Sequence, residues 1–196
     1  MFIVVTGLDG SGTSTIAKGL HDVDAGSKLF KTPSIEYSDR DKIDEVVRLD
    51  SSVAHMLYYL SSTVYMSDYI RKHCDYENNN VYLVRYLIDT VVSNRVAGIN
   101  IELDYNVYGN ELIVPDLTLF VHTSEKKREK RITMRGKSSL DHVLDDISKR
   151  KQFLKEYRRY LTEDTLYINN DKDNPEDVIK STYNKIAQIK ELKRKL

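Results

Sequence analysis

The sequence has no tryptophan and a single cysteine, Cys74, so no internal disulfide can form. It also lacks a surplus of charge. Its 30 basic side chains cancel 30 acidic ones, which removes any overall pull toward nucleic acid or an anionic membrane and confines an anion site to a local cluster. Long apolar runs are missing too, and the opening "MFIVV" is too short for a signal peptide or a membrane span. These absences together predict a cytoplasmic protein in a reducing setting, with neither nucleic acid nor membrane as partner.

What is present is enough for one buried core: 40% of the 196 residues are hydrophobic, and the length suits a single domain over 1–196. Fourteen tyrosines supply most of the aromatic surface. Those in "HMLYYLSSTVYMSDY" are expected mostly in the core, their hydroxyls reaching polar partners. "MFIVV" reads as a strand buried on both faces of a parallel sheet. Glycines follow, and then "STIAKGLHDV" returns to helical spacing, with Ile16, Leu20 and Val23 on one side and Thr13 or Ser14 as the cap.

Further strands are predicted at "SKLFK", "NVYLV", "PDLTLFVH" and "TLYINN". Helices are predicted at "KIDEVVRL", "SVAHMLYYLSSTVYMSDYIRKH", "TVVSNRVAG", "SEKKREKRITMRG", "HVLDDISKRKQFLKEYRRYL" and "PEDVIKSTYNKIAQIKELKRKL". Strands alternating with helices of this length specify an α/β fold, a three-layer arrangement of a parallel β-sheet with helices on both faces and right-handed crossovers.

Gly7-Leu8-Asp9-Gly10-Ser11-Gly12-Thr13-Ser14 fits the phosphate-loop pattern G-x-x-x-x-G-K-[ST] everywhere except the lysine position, where Thr13 stands. Glycines there let backbone N–H groups turn inward around a phosphate at the positive end of the following helix. Gly7, Gly10, Ser11, Gly12, Thr13, Ser14 and Thr15 are therefore the candidate ATP-binding residues, with the Ser14 hydroxyl offered to Mg²⁺. An isolated glycine pattern is equally compatible with an ordinary turn; its place between a buried strand and an amphipathic helix favours phosphate.

"GLDGSGTST", "VPDLTLFVHTSEKKREKRITMRG" and "LVRYLIDTVVSN" together resemble the thymidylate kinase family of P-loop nucleoside monophosphate kinases. The resemblance implies the P-loop kinase fold with a short lid at about 136–142, and transfer of the ATP γ-phosphate, with Mg²⁺, to dTMP or a related pyrimidine nucleotide. It also implies a homodimer. Asp9 would hold the sugar 3′-hydroxyl, Arg85 the acceptor phosphate, and Tyr59 the pyrimidine ring, with Tyr58 as the competing choice. Thr90 and Asn94 would read the base edge, Lys31 would replace an arginine that follows the second strand, and Arg131 and Arg135 would border the lid.

Three positions depart from the family pattern: Thr13, Val84 in place of an aspartate, and Thr63 in place of an arginine. The lost lysine leaves open a nucleotide-binding protein without turnover, and the thinning of acceptor-phosphate cations a deoxynucleoside kinase. Arg85, Arg131, Arg135 and Lys137 are the cations available to replace the lysine, and the first three are the candidate catalytic residues. Lys126, Lys127 and Lys130 are expected to face solvent, as are Asp141, Asp145 and Asp146 around His142.

Overall fold

The computed structural model describes all residues except 108, 138–140, 173 and 196. Its centre is β1 (Phe2–Thr6), buried along its whole length. β2 (Lys28–Lys31), β3 (Val81–Val84), β6 (Leu117–His122) and β7 (Leu166–Asn169) join it in a five-stranded parallel sheet, in the order β2-β3-β1-β6-β7. Both faces are covered, which is why β1 reads as an unbroken apolar run. Ile3 and Val5 face α1 (Thr13–Val23) and α8 (Pro175–Lys195), packing with Ile16, Leu20, Val178 and Ile186. Phe2 and Val4 face α4 (Ser52–His73) and α5 (Leu87–Val96), packing with Leu60, Ile70, Leu87 and Val91. A third cluster joins Ile88 and Val92 of α5 to Tyr157 of α7 (Ile147–Tyr160). Among the described residues, no helix is long and apolar enough to cross a membrane.

The predicted strands are all present, and the differences lie at helix ends and in short pieces. "KIDEVVRL" is not one helix: a five-residue π-helical stretch, Ile43–Val47, separates α2 (Arg40–Lys42) from α3 (Arg48–Asp50). "HVLDDISK" is divided as well. A 3-10 turn, Asp141–Asp145, precedes α7, which begins afresh where the Asp146 carboxylate accepts the Ser148 amide at 2.7 Å. The predicted start of α5 at Thr90 moves to Leu87, because Asp89 reaches back to the Tyr86 amide at 3.0 Å. An antiparallel pair, β4 (Asn106–Val107) and β5 (Asn110–Glu111), was not foreseen; two-residue strands are too short to show alternation.

Two packing expectations fail. Val23 is 52% exposed at the end of α1. Among the described tyrosines Tyr82, Tyr86 and Tyr157 reach the core, whereas those of α4 are only partly covered and pack edgewise on one another and on Tyr37. Tyr58 and Tyr65 meet Tyr37 of a short irregular segment in place of the sheet, so those rings stay near the surface.

Candidate functional site

β1, β2 and β3 end beside one another, and a cavity of about 970 Å³ opens where their C-terminal ends meet the following loops. This is where ligands collect in open parallel sheets. Ser11 N donates to Leu8 O at 3.0 Å, and Ile16 N to Gly12 O at 3.0 Å, so the chain passes from a tight turn straight into α1. Neither Thr13 nor Ser14 caps that helix; Gly12 does, with φ at 97° and no side-chain bond. The first amides of α1, those of Thr13, Ser14 and Thr15, precede the first carbonyl-bonded turn and are left as donors at its positive end.

Gly12 has no room for a side chain, since an added Cβ would lie 2.3 Å from Asn170 Nδ2. Gly10 is equally confined, 2.8 Å from Arg128 Cγ and 2.9 Å from Ile132 Cγ1, because α6 (Glu125–Arg135) lies across the loop. Ser14 and Thr15 are exposed and face the cavity, as do Gly7, Gly10, Gly12 and Thr13. Ser11 is buried beneath it, with its Oγ unpartnered.

Arg131 reaches the loop at Ser11, next to Gly12 and Thr13. Its Nη1 donates to Ser11 O at 3.1 Å and its Nη2 to Asn170 O at 3.0 Å. Asn170 Nδ2 donates to the same Ser11 carbonyl at 2.8 Å, while its buried Oδ1 has no hydrogen-bond partner. The one signal of Asn170 in the sequence is its position just past the C-terminal end of β7. Arg135 also faces the cavity, with Nη2 donating to Asp141 Oδ1 at 2.7 Å.

Several charges are not where they were expected. Asp141 is 1% exposed, not a surface residue, because a buried carboxylate needs a partner and Arg135 provides one. Lys137 turns outward to Asp145 at 2.7 Å and does not line the cavity, which removes it from the candidates. Lys127 is not left to solvent; its Nζ donates to Asp171 O. Arg128, also overlooked, is 3% exposed and spans from Glu125 Oε1, at 2.6 Å, to Asp9 O, at 3.2 Å. Of the lid at 136–142, residues 138–140 lie outside the described residues.

On the other side, Arg85 follows β3 in the left-handed region with φ at 69°, a costly conformation for a side chain with a Cβ. Thr32 Oγ1 holds the turn by donating to Arg85 O at 2.9 Å. The guanidinium reaches Asp9 Oδ1 at 2.8 Å and Asp89 Oδ1 at 2.6 Å, and also donates to Gly7 O. Burial alone would depress its pKa, but Asp9 and Asp89 hold it well above the usual value. Tyr157 donates to Asp89 Oδ1 at 2.8 Å, and burial pushes its phenol pKa up.

Tyr59, Thr90 and Asn94 line the cavity beyond Arg85, whereas Tyr58 turns away and donates to Tyr37 O at 2.8 Å. Tyr59 donates to Asp44 Oδ1 at 2.6 Å, Thr90 Oγ1 lies 3.3 Å from Thr63 Oγ1, and Asn94 Nδ2 donates to Thr90 O at 2.7 Å. Lys31 faces the same space. Burial, then the charges of Arg40 and Arg85, depress its pKa. Arg40, Arg48 and His55 also line this end, none of them singled out by the sequence.

A family model described as thymidylate kinase matches residues 5–182. No curated protein matches the sequence. Among solved structures, a thymidylate kinase from Candida albicans superposes with a TM-score of 0.70 at 17% identity, covering 98% of this chain and 92% of its own. A deoxyadenosine kinase from M. mycoides, solved with the products dCMP and dCDP, gives a TM-score of 0.70 at 20% identity, covering 96% and 100%. The thymidylate kinase of Ehrlichia chaffeensis gives 0.63 at 18%, covering 96% and 97%. These likenesses establish the P-loop kinase fold; by the span of the family match, the chain belongs to the thymidylate kinase family.

Proposed function

We propose that the protein transfers the γ-phosphate of ATP to a nucleoside monophosphate, dTMP or a related pyrimidine nucleotide. The observation that carries this is the charge of the cavity. Lys31, Arg40, Arg48, Arg85, Arg131, Arg135 and Lys149 line it against Asp9, Asp89 and Asp141, in a chain whose formal charge is zero. Such a local excess suits two anionic ligands facing each other. The volume, at the upper end of the roughly 300–1,000 Å³ typical of small-molecule sites, supports the same reading.

The carboxylates argue against a neutral nucleoside as acceptor. Asp9 and Asp89 are both bonded to Arg85, and Asp141 to Arg135. Each of these carboxylates is already engaged by an arginine, whereas removing a proton from a sugar hydroxyl needs a base positioned on that hydroxyl. A monophosphate arrives already ionised.

Phosphoryl transfer asks the protein to align donor and acceptor and to neutralise charge on the moving group. The amides opening α1 receive the donor phosphates, and Arg131 supplies the cation that Thr13 does not. Its present acceptors are two neutral carbonyls, over which an anionic phosphate oxygen is strongly preferred. The unpartnered Ser11 Oγ and Asn170 Oδ1 beneath the loop add polar capacity for a ligand or water. Arg85 presents charge from the acceptor side.

Mg²⁺ fits the donor set. Ser14 offers an exposed hydroxyl oxygen, and no cluster of three His, Cys, Asp or Glu side chains occurs among the described residues. The ion would be held chiefly by phosphate oxygens and water, its common habit, and when bound it screens charge on those oxygens. A homodimer in the cytoplasm completes the reading, with exposed Leu49, Val53 and Leu57 as apolar surface for it.

Incubation with ATP, Mg²⁺ and each nucleotide or nucleoside in turn, following ADP release, tests the proposal. dTMP-dependent ADP formation is expected. ADP at background with every acceptor, while ATP still raises the melting temperature, would leave a binding protein without turnover; faster release with thymidine than with dTMP would make it a nucleoside kinase.

A further inference from the structure

Lys31 stands among like charges, and the cation acting on it most strongly is Arg40, ahead of Arg85. Arg40 lines the cavity from the first turn of α2. Its Nε is buried without a hydrogen-bond partner, 3.4 Å from Asp44 Oδ2 but not aligned with it. The nearby Asp9 is already taken by Arg85. Lys31, Arg40 and Arg85 repel each other across one space; Asp44 and Asp9 each face one of the two arginines, and a phosphate between all three cations would be the anion they share.

We propose that Arg40 grips the phosphate of the acceptor and that Asp44 is its positioning residue, an assignment that rests on the monophosphate reading above. Asp44 is 2% exposed, turned inward by the π-helical stretch Ile43–Val47; such stretches are rare and gather at functional sites. One of its oxygens faces Arg40; the other accepts Tyr59 OH at 2.6 Å and lies 3.0 Å from His55 Nε2. A single buried carboxylate thus fixes the arginine and the aromatic ring together. With the base against Tyr59, the acceptor's phosphate falls between Lys31, Arg40 and Arg85. Thr63, which contributes no charge, is buried and donates to Tyr59 O at 3.0 Å, so the cation comes from another element.

The same buried oxygen pattern could serve only to hold α2 against α4, and the experiment separates the two. Calorimetric titration would compare dTMP, dCMP and dAMP with thymidine, deoxycytidine and deoxyadenosine on the wild type, Arg40→Ala, Arg40→Lys and Asp44→Asn. The wild type is expected to prefer at least one monophosphate to its nucleoside by about tenfold or more. Arg40→Ala should lose most of that preference with ATP affinity held within about twofold, and Arg40→Lys should recover part of it. Asp44→Asn should weaken acceptor affinity severalfold and leave ATP affinity in place, whereas a general loosening of the fold would move both. Full phosphate preference in Arg40→Ala overturns the proposal and spares the monophosphate reading. Equal affinity of the wild type for nucleotide and nucleoside with all three bases overturns both.

Discussion

Thr13 and Arg131 are two halves of one chemical question. If the guanidinium replaces the loop lysine, Arg131→Ala should lower kcat by about 10³–10⁵-fold, the range for losing one cation on the moving phosphoryl group. Thr13→Lys in that background should restore part of the loss, while Thr13→Lys alone should leave turnover flat or reduced, because two cations then compete for the space beside Gly12. Unchanged kcat in Arg131→Ala would remove it from the mechanism. Asp44 makes a separate prediction. Burial would raise its pKa, but hydrogen bonds from His55 and Tyr59 and the charge of Arg40 outweigh burial and hold it below its ordinary value of 3.8. Stability from this carboxylate is therefore complete above pH 3.8 and is lost as pH falls through the lower folded value. Chemical unfolding should show Asp44→Asn weaker than the wild type at pH 6, with the gap closing in strong acid.

α6 is the element on which the donor half of the site depends. It is pinned at one end by Asp171, whose carboxylate accepts the Ser124 amide at 2.6 Å and the Thr123 hydroxyl at 2.8 Å, bonds that pull its pKa down to about 2. Asp171→Ala should leave the sheet intact yet raise the KM for ATP, since Arg131 rides on the helix so anchored; equal ATP KM in variant and wild type would contradict this. Gly12→Ala should cost about 1–3 kcal/mol in denaturant unfolding, the usual range for a side chain forced into a left-handed conformation. The central strands β1 and β3 were legible because burial on both faces writes a continuous apolar run, and the half-exposed edge strands β2 and β7 because short apolar stretches stand between polar residues. The new starts of α5 and α7 were not, since each depends on one polar side chain meeting one amide and leaves no periodicity behind.

At the scale of the molecule, the phosphate loop was legible because its parts are contiguous, Arg85 because it ends a buried strand, and Tyr59, Thr90 and Asn94 only through the family resemblance. Asn170, Arg128, Arg40 and His55 were not, since their neighbours are set only when distant segments pack. The convergence of cations predicts a ligand effect on the whole fold. ATP at about 100 times its Kd should add about 2.7 kcal/mol, which for about 200 residues raises the melting temperature by roughly 5–10 °C, and added salt should shrink the shift. No shift in low salt would mean that the cluster binds no nucleotide. The carbonyl of Ser11 takes its two side-chain bonds from residues 120 and 159 positions further along. During synthesis the first strand, its loop and α1 therefore leave the ribosome long before the arginine and asparagine that finish them. A nascent chain stalled short of β7 displays a loop without Asn170, and the Ser11 carbonyl gains both of its side-chain partners only once β7 has emerged.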